Sequence, residues 1–291
     1  MTAEPKIISE QLRLFQEVAG LYQAGIMVLN EQALDNPDLA LSQFLFGYAF
    51  ERQGRSPSYA HIARHVIKSE ATRKALWHDE EMPKRAWASF CAKLKEIREG
   101  ARSNPKNNPL CPHGYSYASK NGSIKTTQPS VLEFAQQRLK DFDFNIVTWA
   151  RCALNTDQVL AAHNDLRSIN GIGPKIASFF LRDVAWCFRI KVNRQRYLLQ
   201  PVDVWVERMA QQLGPVAKAR AAAWIVQQSK DAEVMPEAVN AGVWYFGSLI
   251  AGSEFRLSLA LNDLKYARNL VDEHVKGLRM QANAWKPRGV L

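Results

Sequence analysis

Residues 155–188, NTDQVLAAHNDLRSINGIGPKIASFFLRDVAWCF, constrain the fold more than any other stretch of this chain. Two segments with helical apolar spacing flank a connection of only five residues, 169–173, so the stretch reads as a helix, a tight hairpin and a second helix. Gly171 and Gly173 permit positive φ and close approach of another backbone. Ile172 between them is placed to plug the groove between the helices, and Pro174 suits the first turn of the second helix. On that helix Ile176, Phe180 and Val184 fall on one side, while Ala177 lets its partner come close. A glycine-rich turn leading into a helix N-terminus exposes backbone N–H groups at the positive end of the helix dipole, a combination that suits a phosphate oxygen. The alternative is a purely structural αα-hairpin whose glycines serve packing.

Helical periodicity also dominates elsewhere, and alternating Val, Ile and Thr runs are few, so an all-α architecture is expected. The length of 291 residues fits one large domain or two intimate ones. Residues 7–32 read as a buried helix or a broken pair, and Ser56-Pro57 opens a short helix running through Val66. From Arg98 to Pro129, Pro, Asn, Gly and Ser dominate and periodicity vanishes, which predicts a long loop or linker. Helical pattern resumes at Ser130, and Leu257, Leu261, Leu264, Val271, Val275 and Leu278 keep one apolar face over several turns. The expected division is an N-terminal helical region 1–100, a loop 101–129, a hairpin-bearing region 130–214, and a C-terminal region 215–291 packing with the N-terminal helices.

The 38 Lys and Arg against 28 Asp and Glu leave a net charge of +10, which favours a polyanionic partner such as nucleic acid or anionic lipid. The longest apolar stretch, 241–251, falls short of the roughly 20 residues that span a bilayer, and no secretory signal opens the chain. A cytoplasmic protein without a membrane partner is expected. Cys91, Cys111, Cys152 and Cys187 are separated by 20, 41 and 35 positions, without the close spacing of a zinc or iron–sulfur site, and read as free thiols. His61 and His65 share a helical face, but no glutamate follows the first and no third ligand is evident, so no metal site is assigned.

The string LRSINGIGPKIASFFL, followed by LLQPVDVWVERMAQQLG, resembles the helix-hairpin-helix DNA glycosylase superfamily, which includes endonuclease III and the 8-oxoguanine glycosylases. The match covers residues 155–214, about a fifth of the chain. The hairpin alone is shared by many DNA-binding proteins, and PVDVWVERM is what sharpens the likeness. The resemblance implies that Lys175 takes the place of the lysine nucleophile of bifunctional members and Asp203 that of the catalytic aspartate. It also implies two helical subdomains with a DNA-binding cleft between them. Two features depart from endonuclease III. Asp203 follows Lys175 by 28 positions, a lengthened interval shared with the archaeal 8-oxoguanine glycosylases, and no cysteine follows Cys187 to build a C-terminal iron–sulfur cluster. The N-terminal region also lacks the strand pattern of the eukaryotic-type 8-oxoguanine enzyme.

The residue types suit the implied chemistry. A lysine nucleophile works only when neutral, and a helix N-terminus with partial desolvation would disfavour the ammonium form from its usual value near 10.4. Asp203 would accept a proton or stabilise positive charge developing on the sugar as the base departs. The competing readings are that Lys175 only contacts phosphate and that Asp203 only caps the helix beginning near Val204. Arg189, Lys191, Arg194 and Arg196 lie in an acid-free run, RIKVNRQRY, expected to grip backbone phosphates with Gly171, Ile172 and Gly173. Lys93, Lys95, Arg98, Arg102 and Lys106 form a second cluster, diluted by Glu96 and Glu99 and read as a solvated face. Trp244, in NAGVWYF, is the candidate base-pocket aromatic. The expectation is a monomeric, cofactor-free DNA glycosylase with lyase activity acting on double-stranded DNA with a modified base, 8-oxoguanine first. The alternatives are a hypermodified phage base and a non-catalytic helix-hairpin-helix DNA-binding protein.

Overall fold

Side-chain caps start several helices where the sequence offers Asn, Ser or Asp before an apolar run. Asn36 Oδ1 accepts the Leu39 amide, Asn145 Oδ1 accepts those of Val147 and Thr148, and Ser130 and Glu133 form a reciprocal capping box. In a computed structural model that describes residues 4–50, 57–71, 78–97, 107–119 and 122–284, thirteen α-helices and one two-stranded sheet result. Ser56, Arg98, Glu99, Arg102 and Lys106, singled out above, lie outside the described residues. The chain divides into two units, Val28–Leu199 and Met1–Met27 with Gln200–Leu291.

The terminal unit holds α1 (Pro5–Gly25) and the helices after residue 200: α9 (Val204–Leu213), α10 (Lys218–Asp231), α11 (Pro236–Tyr245), α12 (Glu254–Asn262) and α13 (Leu264–Ala284). Helix α1 packs directly on α11. The two backbones approach so closely at Gly242 that a Cβ there would fall on the Phe15 carbonyl, while Phe15 meets Phe246 edge to face at 5.6 Å. The apolar face expected to run unbroken from Leu257 to Leu278 is split, because the helix stops at Asn262 and restarts at Leu264, with Asp263 Oδ1 accepting the Tyr266 amide.

The central unit holds α2 (Pro37–Phe44), α3 (Pro57–Ala71), α4 (Met82–Ile97), α5 (Val131–Arg138), α6 (Ile146–Asn155), α7 (Val159–Ser168) and α8 (Pro174–Cys187). A π-helical turn, Leu45–Phe50, extends α2, and α3 runs five residues beyond the expected end at Val66. Helix α8 is more enclosed than its one-sided apolar pattern predicts, being buried from Ile176 through Ala185. Even Arg182 and Asp183 are inside, paired at 2.6 Å, with the Tyr48 hydroxyl donating to Asp183 at 2.9 Å. Pairing is what makes this burial tolerable, since a lone charge there would carry a large desolvation cost.

The all-α expectation holds for the fold, which adds one short sheet to its helices. Within the segment expected to be a long loop or linker, β1 (Ser116–Ser119) and β2 (Gly122–Lys125) pair antiparallel, Tyr117 opposite Ile124 and Ser119 opposite Gly122. A signal for it exists in Asn121-Gly122, a hairpin dipeptide flanked by Tyr117 and Ile124, but strands of four residues are too short for periodicity to reveal. All four cysteines are free, and burial pushes the thiols of Cys111 and Cys187 up to about 12 and about 11. Among the described residues no helix is long and apolar enough to cross a membrane.

Candidate functional site

The α7–α8 connection is built around a single left-handed residue. Gly171 has φ +78°, and a Cβ there would collide with the backbone of Asn107. Gly173 differs from expectation: it is extended (φ −87°, ψ 173°), serves as the N-cap of α8, and has nothing within 4 Å of where its Cβ would sit. Ile172 is 4% exposed and its N–H donates to the Ile169 carbonyl, so neither its side chain nor its amide faces outward for a phosphate. The amides that have no partner among the described residues are those of Gly173, Lys175 and Ile176, the ordinary orphans of a helix start. Gly171→Ala should therefore cost about 2 kcal/mol or more, from the left-handed strain and the overlap with Asn107, and thermal unfolding measures it.

Lys175 stands in this first turn, exposed, with Nζ 5.7 Å from the Phe179 ring centroid. The partial desolvation expected from sequence is not found, because position 175 lies on the outward side of the turn while Ile176 and Ala177 take the core side. His163 on α7 supports the turn from beneath. Its Nε2 lies 3.2 Å from the Pro174 carbonyl oxygen and 3.3 Å from Ser178 Oγ, and Nδ1 is buried without a partner among the described residues. Burial holds this imidazole below its ordinary value.

The basic run is not at the turn. Arg189, in left-handed geometry (φ 52°), closes the C-terminus of α8, its N–H donating to Trp186 and that of Ile190 to Ala185. The run then lies against the start of α7. Asp157 accepts the Asn193 and Arg194 amides at 2.9 and 3.3 Å, and Gln195 Oε1 accepts the Leu160 amide. These donations, the Asn193 amide foremost, hold the Asp157 carboxyl below its usual range. Since α7 has ten residues and α8 fourteen, at 1.5 Å rise each, Arg194 sits about 15 Å and Arg189 about 20 Å from the glycine turn, at the opposite end of the helix pair. Arg189, Lys191 and Arg194 are exposed and Arg196 is half-buried. The acid missing from the run is supplied by Asp157, 37 positions before Arg194, which no local pattern could reveal.

Asp203 belongs to the terminal unit, where it is the N-cap of α9. Its Oδ1 accepts the Trp205 and Val206 amides, each at 3.0 Å, and the residue is 8% exposed. The second oxygen, Oδ2, has no hydrogen-bond partner among the described residues. Asp203 is thus a helix cap with one carboxylate oxygen uncommitted. Asn240 of α11 donates to the Pro201 carbonyl just upstream, and Gln200 to Glu237, buried polar contacts that position the segment entering Asp203. Trp244, one turn beyond Asn240, is half-buried and meets Tyr22 edge to face at 5.8 Å, so part of its ring serves packing on α1. His61 and His65 are both exposed on α3, His61 against the Phe46 ring.

No family model, curated protein or solved structure matches this chain.

Proposed function

We propose that this chain is a DNA glycosylase with lyase activity, which extrudes a modified nucleotide and removes its base through Lys175. The observation that carries the reading is the first turn of α8, where three unpartnered amides and an exposed primary amine stand together on a backbone made left-handed by Gly171. The amides and helix dipole suit a phosphate oxygen. The neutral amine attacks the sugar C1′ while the base leaves with the electron pair of the glycosidic bond and takes up a proton. Opening of the sugar ring yields the protonated Schiff base, and β-elimination then breaks the C3′–O bond. Asp203, with Oδ2 uncommitted, is the carboxylate for the positive charge that develops on the sugar. Among modified bases 8-oxoguanine is the first substrate to try, with hypermodified phage bases next.

Borohydride reduction during incubation with duplexes bearing an abasic site, 8-oxoguanine or modified pyrimidines tests the reading. A covalent protein–DNA adduct on one of them is expected, and its absence from all of them refutes the lyase step. The exposure of Lys175 favours a second reading, a non-catalytic protein whose hairpin lysine only holds phosphate; it predicts binding with no adduct.

Gly173→Ala separates docking from folding. Its extended backbone and open surroundings accept a methyl group, so stability should stay within about 1 kcal/mol, while a phosphate brought against this amide should be displaced and affinity for all duplexes should fall. Arg194→Ala with Arg196→Ala probes the far end of the helix pair. The slope of log affinity against log salt should flatten by up to about 0.9 for each phosphate these arginines neutralise. An unchanged slope would turn this end away from DNA.

A further inference from the structure

The β1–β2 hairpin is exposed at Ser116 and Ala118 and along all of β2, with Ile124 44% exposed, and no third strand joins it among the described residues. A hairpin with so little packed against it is marginal by itself and depends on its footing. Its base rests on α4 and α5, where the Tyr115 ring meets Trp87 at 5.5 Å and the Glu133 carboxylate accepts the His113 amide, and its flanks reach the glycine turn. Gln128 Nε2 donates to the Arg167 carbonyl at the end of α7, the Asn170 amide donates to Pro129, and Asn170 Nδ2 donates to the Asn108 carbonyl. The base of the hairpin is closed by Thr126, whose amide donates to Tyr115 and whose hydroxyl accepts the Tyr115 amide and donates to Pro112. From Gly100 to Leu132 the sequence contains no Asp or Glu. The flanks of this hairpin are therefore tied to residues just before the unpartnered amides, whereas the basic run after α8 lies about 15 Å or more away.

We propose that the β1–β2 hairpin is a second DNA-contacting arm, which lies in the major groove beside the phosphate held by the α7–α8 turn. The major groove admits a two-stranded ribbon of this width. Tyr117 and Ile124, directly opposite in register, share one face and form an apolar pair suited to base edges, and Lys125 reaches a backbone phosphate. The absence of acids from residues 100–132 lessens the repulsion that a groove between two phosphate rails would impose, and the Glu133 carboxylate at the base of the hairpin is engaged by the His113 amide. This assignment rests on the DNA-binding reading given above.

The test measures binding of the full-length chain to a short labelled duplex between about 50 and 200 mM salt, for wild type, Ile124→Asp, Lys125→Ala and Gly173→Ala. Ile124→Asp should weaken binding about tenfold by setting a carboxylate in the groove, and Lys125→Ala should lower the salt slope by about 0.9. Thermal unfolding should be unchanged because both side chains are exposed; Ile124→Thr, which keeps strand propensity, serves if the aspartate disturbs the hairpin. Wild-type affinity and slope in the hairpin variants, with loss in Gly173→Ala, would overturn the arm and leave the turn as the DNA site. A wild-type chain without salt-dependent binding would overturn the DNA reading itself.

Discussion

Lys175→Ala should abolish borohydride trapping, with the adduct-forming rate falling by more than about a thousandfold, the scale on which removing a covalent nucleophile acts. The fold should be intact. Lys175 is exposed, and its approach to the Phe179 ring is a solvent-facing cation–π pair worth about 0.5–1 kcal/mol. Lys175→Arg sharpens the result: a guanidinium keeps the charge for a phosphate but stays protonated and cannot form the Schiff base. Retained binding with no trapping in Lys175→Arg would mark a nucleophile. Adduct formation undiminished in Lys175→Ala would place the nucleophile elsewhere and reduce Lys175 to a phosphate contact at most.

Asp203→Asn should reduce base release by about 10²–10⁴ while leaving stability nearly unchanged. The reason lies in the division of labour between the two oxygens. An asparagine Oδ1 can still accept the Trp205 and Val206 amides and keep α9 capped, but the uncommitted position loses its negative charge. Asp203→Ala removes both and should cost about 1 kcal/mol in addition, read as a lower unfolding temperature. If base release in Asp203→Asn stayed within a few-fold of wild type, with only Asp203→Ala losing stability, Asp203 would be a helix cap and the assignment would fail.

The difference between Gly171 and Gly173 shows how far a sequence pattern carries. Both glycines in NGIGP fit a hairpin, yet only Gly171 uses left-handed geometry; Gly173 is extended, and its small size leaves open space beside an unpartnered amide. Ile172 is expected from sequence to meet phosphate, but its amide closes the turn onto Ile169 and its side chain goes inside. A tight turn has few amides to share, and those used to hold the turn cannot also hold a ligand. The aspartate in PVDVW is legible because an acid before an apolar helical run is a cap signal whether or not it is also catalytic.

Local sequence by itself determined the predominantly helical fold, the tight α7–α8 connection with its left-handed glycine and Pro174 at the helix start, and the caps at Ser130 and Asp203. Each depends on the conformational preference or hydrogen-bonding reach of residues within a few positions of one another. Tertiary structure alone decided which ends of the helix pair the flanking segments meet. The basic run went to the far end because Asp157 and Gln195 tie it to the start of α7, and Asn108 and Pro129 went to the turn because Asn170 binds both. It also enclosed Arg182 and Asp183, which pair with each other and receive the Tyr48 hydroxyl. These contacts join residues tens of positions apart, and whether a polar side chain is buried, exposed or engaged depends on what folds against it, which no local spacing encodes.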